Sequence, residues 1–467
     1  MPADIVKGYP YGEYRVQPPG FSDADNALSE DVTSLMDRRI TLAAFLKKHP
    51  GQESAWQAFM DGLDVTSFGT PLPLEEHQAL ERQLMSLVKS AQKPEVLAQV
   101  TLHRFYGYEV IQPLFYDEEL EEIIVNGSDE PVWVYHRDAG LCKTNLQFNE
   151  KTMGVFLNQL GGKDLYDDIR LADGSRANVI RPPASPWPSV TIRVFHQRPF
   201  SIVHLIEKNT LSAEVAALLW TAFEGFRLFP LNVLIAGGTA AGKTTMLNAL
   251  TALIPPEERI VTIEDTPELN LVGRTNWVPL FSGKHATAQE LLINALRMRP
   301  DRLIVGDMRG AEAETLFTAM NTGHRGASGT FHANSDRDAI VRLENTPMNV
   351  PRVLLPLADL IVIQQRFNDR RHGLVRRVTQ VSEIARGETG PALNQVYAWN
   401  SESDFIEKTS VATATIEKLG RATNRTPKQV MAVMEERRKV LQYLAEKGIN
   451  GHEDVCQFVT EYYKKVS

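Results

Sequence analysis

The stretch Gly237-Gly238-Thr239-Ala240-Ala241-Gly242-Lys243-Thr244, followed by Thr245, decides the fold. It fits the pattern G-x-x-x-x-G-K-[ST], a loop that wraps phosphate groups. Leu234-Ile235-Ala236 ahead of it is a short apolar run of the kind that forms a buried parallel strand. Behind it, Thr244 to Leu250 carries apolar residues at helical spacing with no Gly or Pro. Gly237 and Gly242 permit backbone angles that a Cβ would forbid, so successive N–H groups can turn towards phosphate oxygens. The start of the following helix adds partial positive charge. On this reading Lys243 reaches the β- and γ-phosphates of a nucleoside triphosphate, and the Thr244 hydroxyl holds Mg²⁺.

The rest of the second half alternates strands and helices around this loop, which predicts a mostly parallel sheet. Leu211 to Phe223 reads as an amphipathic helix leading into the strand before the loop. Arg259 to Ile263 is the next strand, and it delivers Glu264-Asp265 at its carboxyl end, where open parallel sheets bind ligands. Leu291 to Met298 is helical, and Leu303-Ile304-Val305 is a third buried strand, ending in Gly306-Asp307. An acid capping such a strand faces Mg²⁺ or the attacking water. Asn321 to Gly326 and Thr330 to Ser335 then bring two histidines, His324 and His332. A zinc site would lack further ligands. A core or capping role and a polar sensor between the γ-phosphate and a neighbouring domain both fit them. The basic hairpin Arg366 to Arg377, with its turn at His372-Gly373, reads either as solvated surface or as functional. From Ser410 the chain is mostly helical: one helix runs from Thr426 to Glu446 with Thr426 as N-cap and Pro427 in the first turn, and another covers His452 to Lys465.

Upstream, residues 1–28 are rich in Pro, Gly, Tyr and Asp and read as an extended arm. Helical periodicity follows: Val32 to Leu46, the segment around Trp56 to Met60, Leu74 to Ala91, and Pro94 to Phe105. Near Tyr106 the texture becomes α+β. Glu122 to Val125, Pro131 to Tyr135, the turn Asp138-Ala139-Gly140, a helix over Thr152 to Leu160, and a hairpin turning at Asp173-Gly174 follow in order. Ser189 to Phe195 is a strand with Val190, Ile192 and Val194 on one face and Thr191 and Arg193 on the other. A linker is expected at 196–203.

With 467 residues, 43% hydrophobic and 23% charged, the chain has room for two or three ordinary globular domains. A net charge of -8 argues against nonspecific nucleic-acid binding, so no direct nucleic-acid partner is expected. Two cysteines, Cys142 and Cys456, exclude a disulfide framework and a four-cysteine zinc site. No apolar run reaches 18 residues, and the N-terminus lacks the layout of a secretory signal, which predicts a cytoplasmic protein.

Five segments resemble, in order and spacing, the motifs of the type II/type IV secretion ATPase superfamily. They are Gly237–Leu250, Ile260–Glu268, Arg297–Asp301, Gly306–Gly310 and Asn321–Ser335, similar to its Walker A, Asp-box, Walker B and His-box motifs. The tail segments Glu435–Lys439 and Glu461-Tyr462-Tyr463 are similar to the archaeal members, motors of archaellum or type IV pilus assembly. Thr191-Ile192-Arg193 and Asp173 to Arg176 resemble the N-terminal domain that covers the nucleotide. The match spans roughly 105–467.

The resemblance implies an α/β protein with a C-terminal RecA-like P-loop ATPase domain at 199–395 and an α+β N-terminal domain at 105–198. A helical C-terminal region occupies 396–467, and an arm with a helical N-terminal extension occupies 1–104. It implies ATP and Mg²⁺ as cofactors, with Gly237, Gly238, Thr239, Ala240, Ala241, Gly242, Lys243, Thr244 and Thr245 around the nucleotide. Mg²⁺ would be held by Thr244 and Asp307, with Asp307 suited to contact through a coordinated water. Glu264, Asp307, Lys243, His332, Arg176 and Arg193 form the implied catalytic set, the two arginines offered by the N-terminal domain. A guanidinium fork suits charge spread over γ-phosphoryl oxygens. The implied assembly is a homo-hexamer acting on a polytopic membrane platform protein, peripheral at the membrane only through that partner. Its output is a pilus, an archaellum or a secretion pseudopilus. The alternatives are a type IV secretion traffic ATPase moving protein or DNA–protein cargo, and a nucleotide-binding structural subunit with weak hydrolysis. The last is prompted by Asp307, where the family usually carries Glu. The four-cysteine metal insertion of several bacterial members is absent.

Overall fold

The computed structural model describes the chain except residues 1–2, 7–10, 17–21, 37, 64–73, 118, 172, 196–198, 284, 370–372, 389, 412 and 467. The core of the expected linker, 196–198, and His372 of the expected turn lie outside the described residues. The chain divides into two compact units, Met1–Phe195 and His196–Ser467.

The first unit opens with strands β1 (Ala3–Val6) and β2 (Gly12–Val16). Helices α1 (Asp23–Met36), α2 (Leu42–Lys48), α3 (Glu53–Gly62), α4 (Leu74–Leu87) and α5 (Pro94–Tyr106) follow. Then come β3 (Leu120–Val125), β4 (Pro131–His136), β5 (Gly140–Gln147), α6 (Glu150–Leu160), β6 (Tyr166–Arg170), β7 (Arg176–Ile180) and β8 (Ser189–Arg193). The helices share one core, in which Phe45, Trp56, Phe59 and Tyr106 interlock. The strands form one sheet in the order β1-β2-β5-β4-β3-β8-β7-β6, packed on α6 through Phe148 and Phe156. The N-terminal arm is not merely an extended peptide. β2 pairs in parallel with β5 and buries Tyr14 and Val16 in the sheet core, alternating with exposed Glu13 and Arg15. Its Pro and Gly content hid that period of two, because the alternating segment is only five residues long.

The second unit contains α7 (Ile202–Glu207), α8 (Ala213–Glu224), β9 (Val233–Gly237), α9 (Lys243–Thr251), β10 (Ile260–Glu264), β11 (Trp277–Phe281), α10 (Ala288–Ala295), β12 (Arg302–Met308) and α11 (Glu312–Asn321). It continues with β13 (Ser328–Phe331), α12 (Asp336–Glu344), β14 (Leu360–Asp369), β15 (Gly373–Arg386), β16 (Pro391–Asn400), β17 (Phe405–Lys408), α13 (Ala414–Ala422), α14 (Pro427–Glu446) and α15 (His452–Val466). The sheet runs β11-β10-β12-β13-β9-β14-β15-β16-β17. From β11 to β14 every pairing is parallel, and from β14 to β17 every pairing is antiparallel. The sheet continues to Lys408, so the step from sheet to helices expected at 395/396 falls inside β16.

Alternate residues of the central strands enter two separate cores. Val233, Ile235 and Ile260 pack on α8, α9 and the C-terminal helices, whereas Leu234, Ala236, Val261 and Ile263 pack on α10 and α11. Both faces of the parallel sheet are therefore covered, and its strands read as continuous apolar runs. α8 is buried on every side rather than amphipathic, because α14 closes over the face that the sheet does not cover. Thr426 caps α14 in a capping box with Gln429, with Pro427 in the first turn.

Candidate functional site

β9 ends at Gly237 and α9 begins at Lys243, with the glycine-rich loop between them. Two of its glycines abut one neighbour, Gln364 of β14. A Cβ on Gly237 would fall 2.1 Å from the Gln364 carbonyl oxygen, and one on Gly242 would fall 2.9 Å from Gln364 Nε2. Gly242 also sits at φ 92°, a conformation side chains rarely adopt, and Ala240 shares the left-handed region at φ 56°. Lys243 is 7% exposed, and its ammonium donates to the Gly238 carbonyl at 3.1 Å, folding back over the loop it belongs to.

The acids and the histidine come from neighbouring parallel strands. In β10, Ile263 is level with Val305 of β12, so Glu264 lies beside Gly306. A Cβ on Gly306 would stand 2.7 Å from Glu264 Cγ, and glycine is what lets the carboxylate lie across β12. Glu264 is 3% exposed. Its Oε1 accepts the N–H groups of Glu268 and Leu269 at 3.0 and 2.9 Å, while Oε2 is buried without a hydrogen-bond partner. Burial pushes its pKa up to about 7, against the pull of those two N–H groups.

Asp307, one residue beyond Gly306, accepts from Arg309 Nε at 2.7 Å, and its Oδ1 is buried and unpartnered. Arg309 also reaches Asp265 at 3.2 Å. His332 follows β13, the strand between Asp307's strand and the loop's strand. Its Nε2 lies 3.6 Å from Asp307 Oδ2. Burial and then the nearby Lys243 ammonium hold its pKa below the ordinary histidine value, so the ring is neutral at pH 7. Thr330 donates its hydroxyl to the Gly306 carbonyl, tying β13 to β12 directly beneath.

The structure thus brings Lys243, Glu264, Asp307 and His332 to one edge of one sheet. Thr244 and Thr245 are half-buried in the first turn of α9, and Thr239 is exposed at the crest of the loop. His324 lies away from this group, in the turn after α11, with its N–H bonded to the Ala319 carbonyl. Arg176 and Arg193 belong to the first unit, where they stand opposite each other across β7–β8. Arg176 is paired there with Asp168. Sequence reasoning left Arg376 of the basic hairpin undecided. Its Nε donates to the Ala240 carbonyl at 3.0 Å, so this arginine touches the phosphate loop. Only the pairing of β14 with β9 makes that contact, and no local pattern signals it.

The donor set suits a magnesium–nucleotide complex. Mg²⁺ is bound through one or two protein oxygens plus substrate phosphates, and Thr244 with the unpartnered Asp307 Oδ1 supplies that kind of set. Among the described residues no group of three or more His, Cys, Asp or Glu could hold a metal ion unaided.

A parallel sheet with a phosphate loop after β9, and with two acids at the carboxyl ends of neighbouring strands, defines a P-loop protein of RecA-like α/β fold. More narrowly, the chain belongs to the Type II/IV secretion system protein family, which matches residues 170–454. The uncharacterized protein MJ0781 of Methanocaldococcus jannaschii is 41% identical over 228 residues, 45% of this chain and 32% of that protein's own length. The conjugal transfer protein TrbB of Rhizobium radiobacter is 33% identical over 241 residues, covering 50% of this chain and 72% of TrbB. Among solved structures, the pilus retraction motor PilT with bound ADP aligns at 20% identity and a TM-score of 0.43, over 68% of this chain and 86% of PilT. No helix among the described residues is long and apolar enough to cross a membrane.

Proposed function

We propose that the chain hydrolyses Mg-ATP and works as a homo-hexameric motor on a polytopic membrane platform protein, driving a type IV pilus-like filament. One observation carries the hydrolytic part of this reading. Lys243, Glu264, Asp307 and His332 converge on the carboxyl edge of parallel strands, beside a loop in which Gly237 and Gly242 cannot take a side chain without strain. When bound, Mg²⁺ supplies charge neutralisation at the β- and γ-phosphates. Lys243 leaves the Gly238 carbonyl to bind those phosphates, and the backbone N–H groups at the start of α9 orient them. Glu264 is the general base. Its Oε2 is free of partners and its pKa near 7 leaves it able to take a proton from the attacking water at neutral pH. Asp307, with Thr244, would hold Mg²⁺, and neutral His332 beside it would sense the γ-phosphate. Arg176 and Arg193 of the first unit add cationic charge to the nucleotide.

The conjugal transfer relative favours a second reading, a type IV secretion traffic ATPase moving protein or DNA–protein cargo. Affinity purification from the native membrane separates the two. Recovery of a polytopic platform protein supports the filament motor, and recovery of a multi-protein channel complex supports the traffic ATPase. Sedimentation with Mg-ATP tests the assembly, for which a six-subunit species is expected. A monomer at all nucleotide concentrations contradicts the motor reading.

A further inference from the structure

Between β10 and β11 the chain forms neither helix nor strand over 265–276, and side chains set its path. Three successive N–H groups in this segment are accepted by two side chains from different elements. Glu264 Oε1, at the end of β10, takes those of Glu268 and Leu269 at 3.0 and 2.9 Å. Asn248 Oδ1, from α9, takes that of Asn270 at 3.0 Å. Leu269 and Leu271, on either side of Asn270, are each 2% exposed and share a core with Met246, Leu247 and Leu250 of α9. Further along, Arg274 donates to the carbonyls of Thr251, Ile254 and Pro255, gripping the end of α9 and the turn beyond it. The segment that anchors Glu264 is thus fastened to α9 at two points.

Asn248 is 3% exposed inside a helix of 9 residues. Asparagine is a poor helix former, because its amide competes with the backbone, and a buried amide costs free energy unless it is hydrogen-bonded. Packing alone would be served better by an apolar side chain. The bond to Asn270 gives the residue its role, and it puts two functions on one short helix. α9 begins with the Lys243 ammonium and, past its middle, holds the backbone that Glu264 rests on. Two N–H groups on Oε1 stop the carboxylate from rotating and keep Oε2 in one place. That anchor is only as steady as the backbone that supplies it.

We propose that Asn248 is a positioning residue for hydrolysis: by holding Asn270 against α9, it steadies the 268–269 backbone on which the Glu264 carboxylate is aligned. This rests on reading Glu264 as the general base of an ATP site. Asn248 supplies orientation rather than charge to the nucleotide, so its loss belongs in the rate of hydrolysis and not in nucleotide affinity.

The test is single-turnover hydrolysis of Mg-ATP by the full chain, with calorimetric titration of the same proteins with Mg-ADP. Asn248→Leu keeps the volume and removes the acceptor. Its rate should fall about threefold to tenfold, the equivalent of one hydrogen bond, with ADP affinity within about twofold of the parent's. Asn248→Asp, which keeps an oxygen acceptor at the same reach, should recover most of that rate. The deciding comparison places Asn248→Leu in the Glu264→Gln background. A residue acting through Glu264 has no base left to align there, so the added substitution should slow the double variant by less than about twofold. Equal slowing in both backgrounds overturns the proposal, because a residue that merely stabilises α9 acts independently of the base. An Asn248→Leu variant at the parent's rate overturns it as well, and so does a loss confined to ADP affinity. Should Asn248→Leu not fold, Asn248→Ala in the same two backgrounds gives the same comparison. If the parent chain does not hydrolyse ATP, or Glu264→Gln matches its rate, the reading of the site itself fails; if Glu264→Gln is slow and Asn248→Leu is not, only this inference fails.

Discussion

Glu264 divides its two oxygens between different tasks. Oε1 holds the backbone of Glu268 and Leu269, and Oε2 is left buried without a partner. That division makes Glu264→Gln informative, because the amide oxygen can still accept both N–H groups while the base is gone. Turnover should fall roughly 10²–10⁴-fold with ATP binding retained, as expected for removal of a positioned base. The pH dependence follows from the pKa of about 7. A raised carboxyl is protonated below that value and cannot accept a proton, so single-turnover rate should climb with pH up to about 7 and level off above it. A profile flat from pH 5.5 to 8, or a Glu264→Gln variant near the parent's rate, removes Glu264 from the role. Asp307 is one methylene shorter than the family's usual acid, about 1.5 Å less reach. It fits the water-mediated magnesium role better than that of the base.

The C-terminal helix α14 is held to α8 by a buried ion pair as well as by apolar contact. Arg437 of α14 donates to Glu224 of α8 at 2.7 Å, with Arg437 2% and Glu224 4% exposed, and its guanidinium lies over the Trp220 ring. Trp220 in turn donates to the Tyr463 hydroxyl at 2.7 Å, which donates to the Leu253 carbonyl. Removing one member leaves an uncompensated buried charge, so Arg437→Ala should cost about 3–5 kcal/mol of unfolding free energy in urea. The double variant Arg437→Met with Glu224→Gln should recover much of it; a single variant within about 0.5 kcal/mol of the parent denies the pair this role.

Elements with a local signal were legible before folding: the loop with its flanking strand and helix, the strands ending in Glu264 and Asp307, and α14 with its Thr426-Pro427 start. What escaped depends on distant partners. α8 reads as amphipathic because its second cover, α14, lies some 200 residues away in sequence. β2 is made a core strand by β5, and Arg376 is made a loop contact by the pairing of β14 with β9. The need for Gly306 is likewise tertiary, since it is the Glu264 side chain that occupies the space of a Cβ.

The two units divide the proposed work. The second carries the phosphate loop, the acids and His332. The first presents Arg176 and Arg193 side by side at the end of β7 and β8, with Arg193 exposed and Arg176 held by Asp168. If these arginines close on nucleotide during turnover, Arg176→Ala and Arg193→Ala should each lower steady-state hydrolysis while leaving the unfolding midpoint unchanged. Kinetics equal to the parent in both variants would leave them as surface residues. The most direct test of the account is Mg²⁺-dependent phosphate release from ATP by the parent chain and by Lys243→Ala. Loss of the ammonium leaves charge at the β- and γ-phosphates uncompensated. The account predicts hydrolysis by the parent and none above background by the variant; a Lys243→Ala protein hydrolysing ATP at the parent's rate would contradict it.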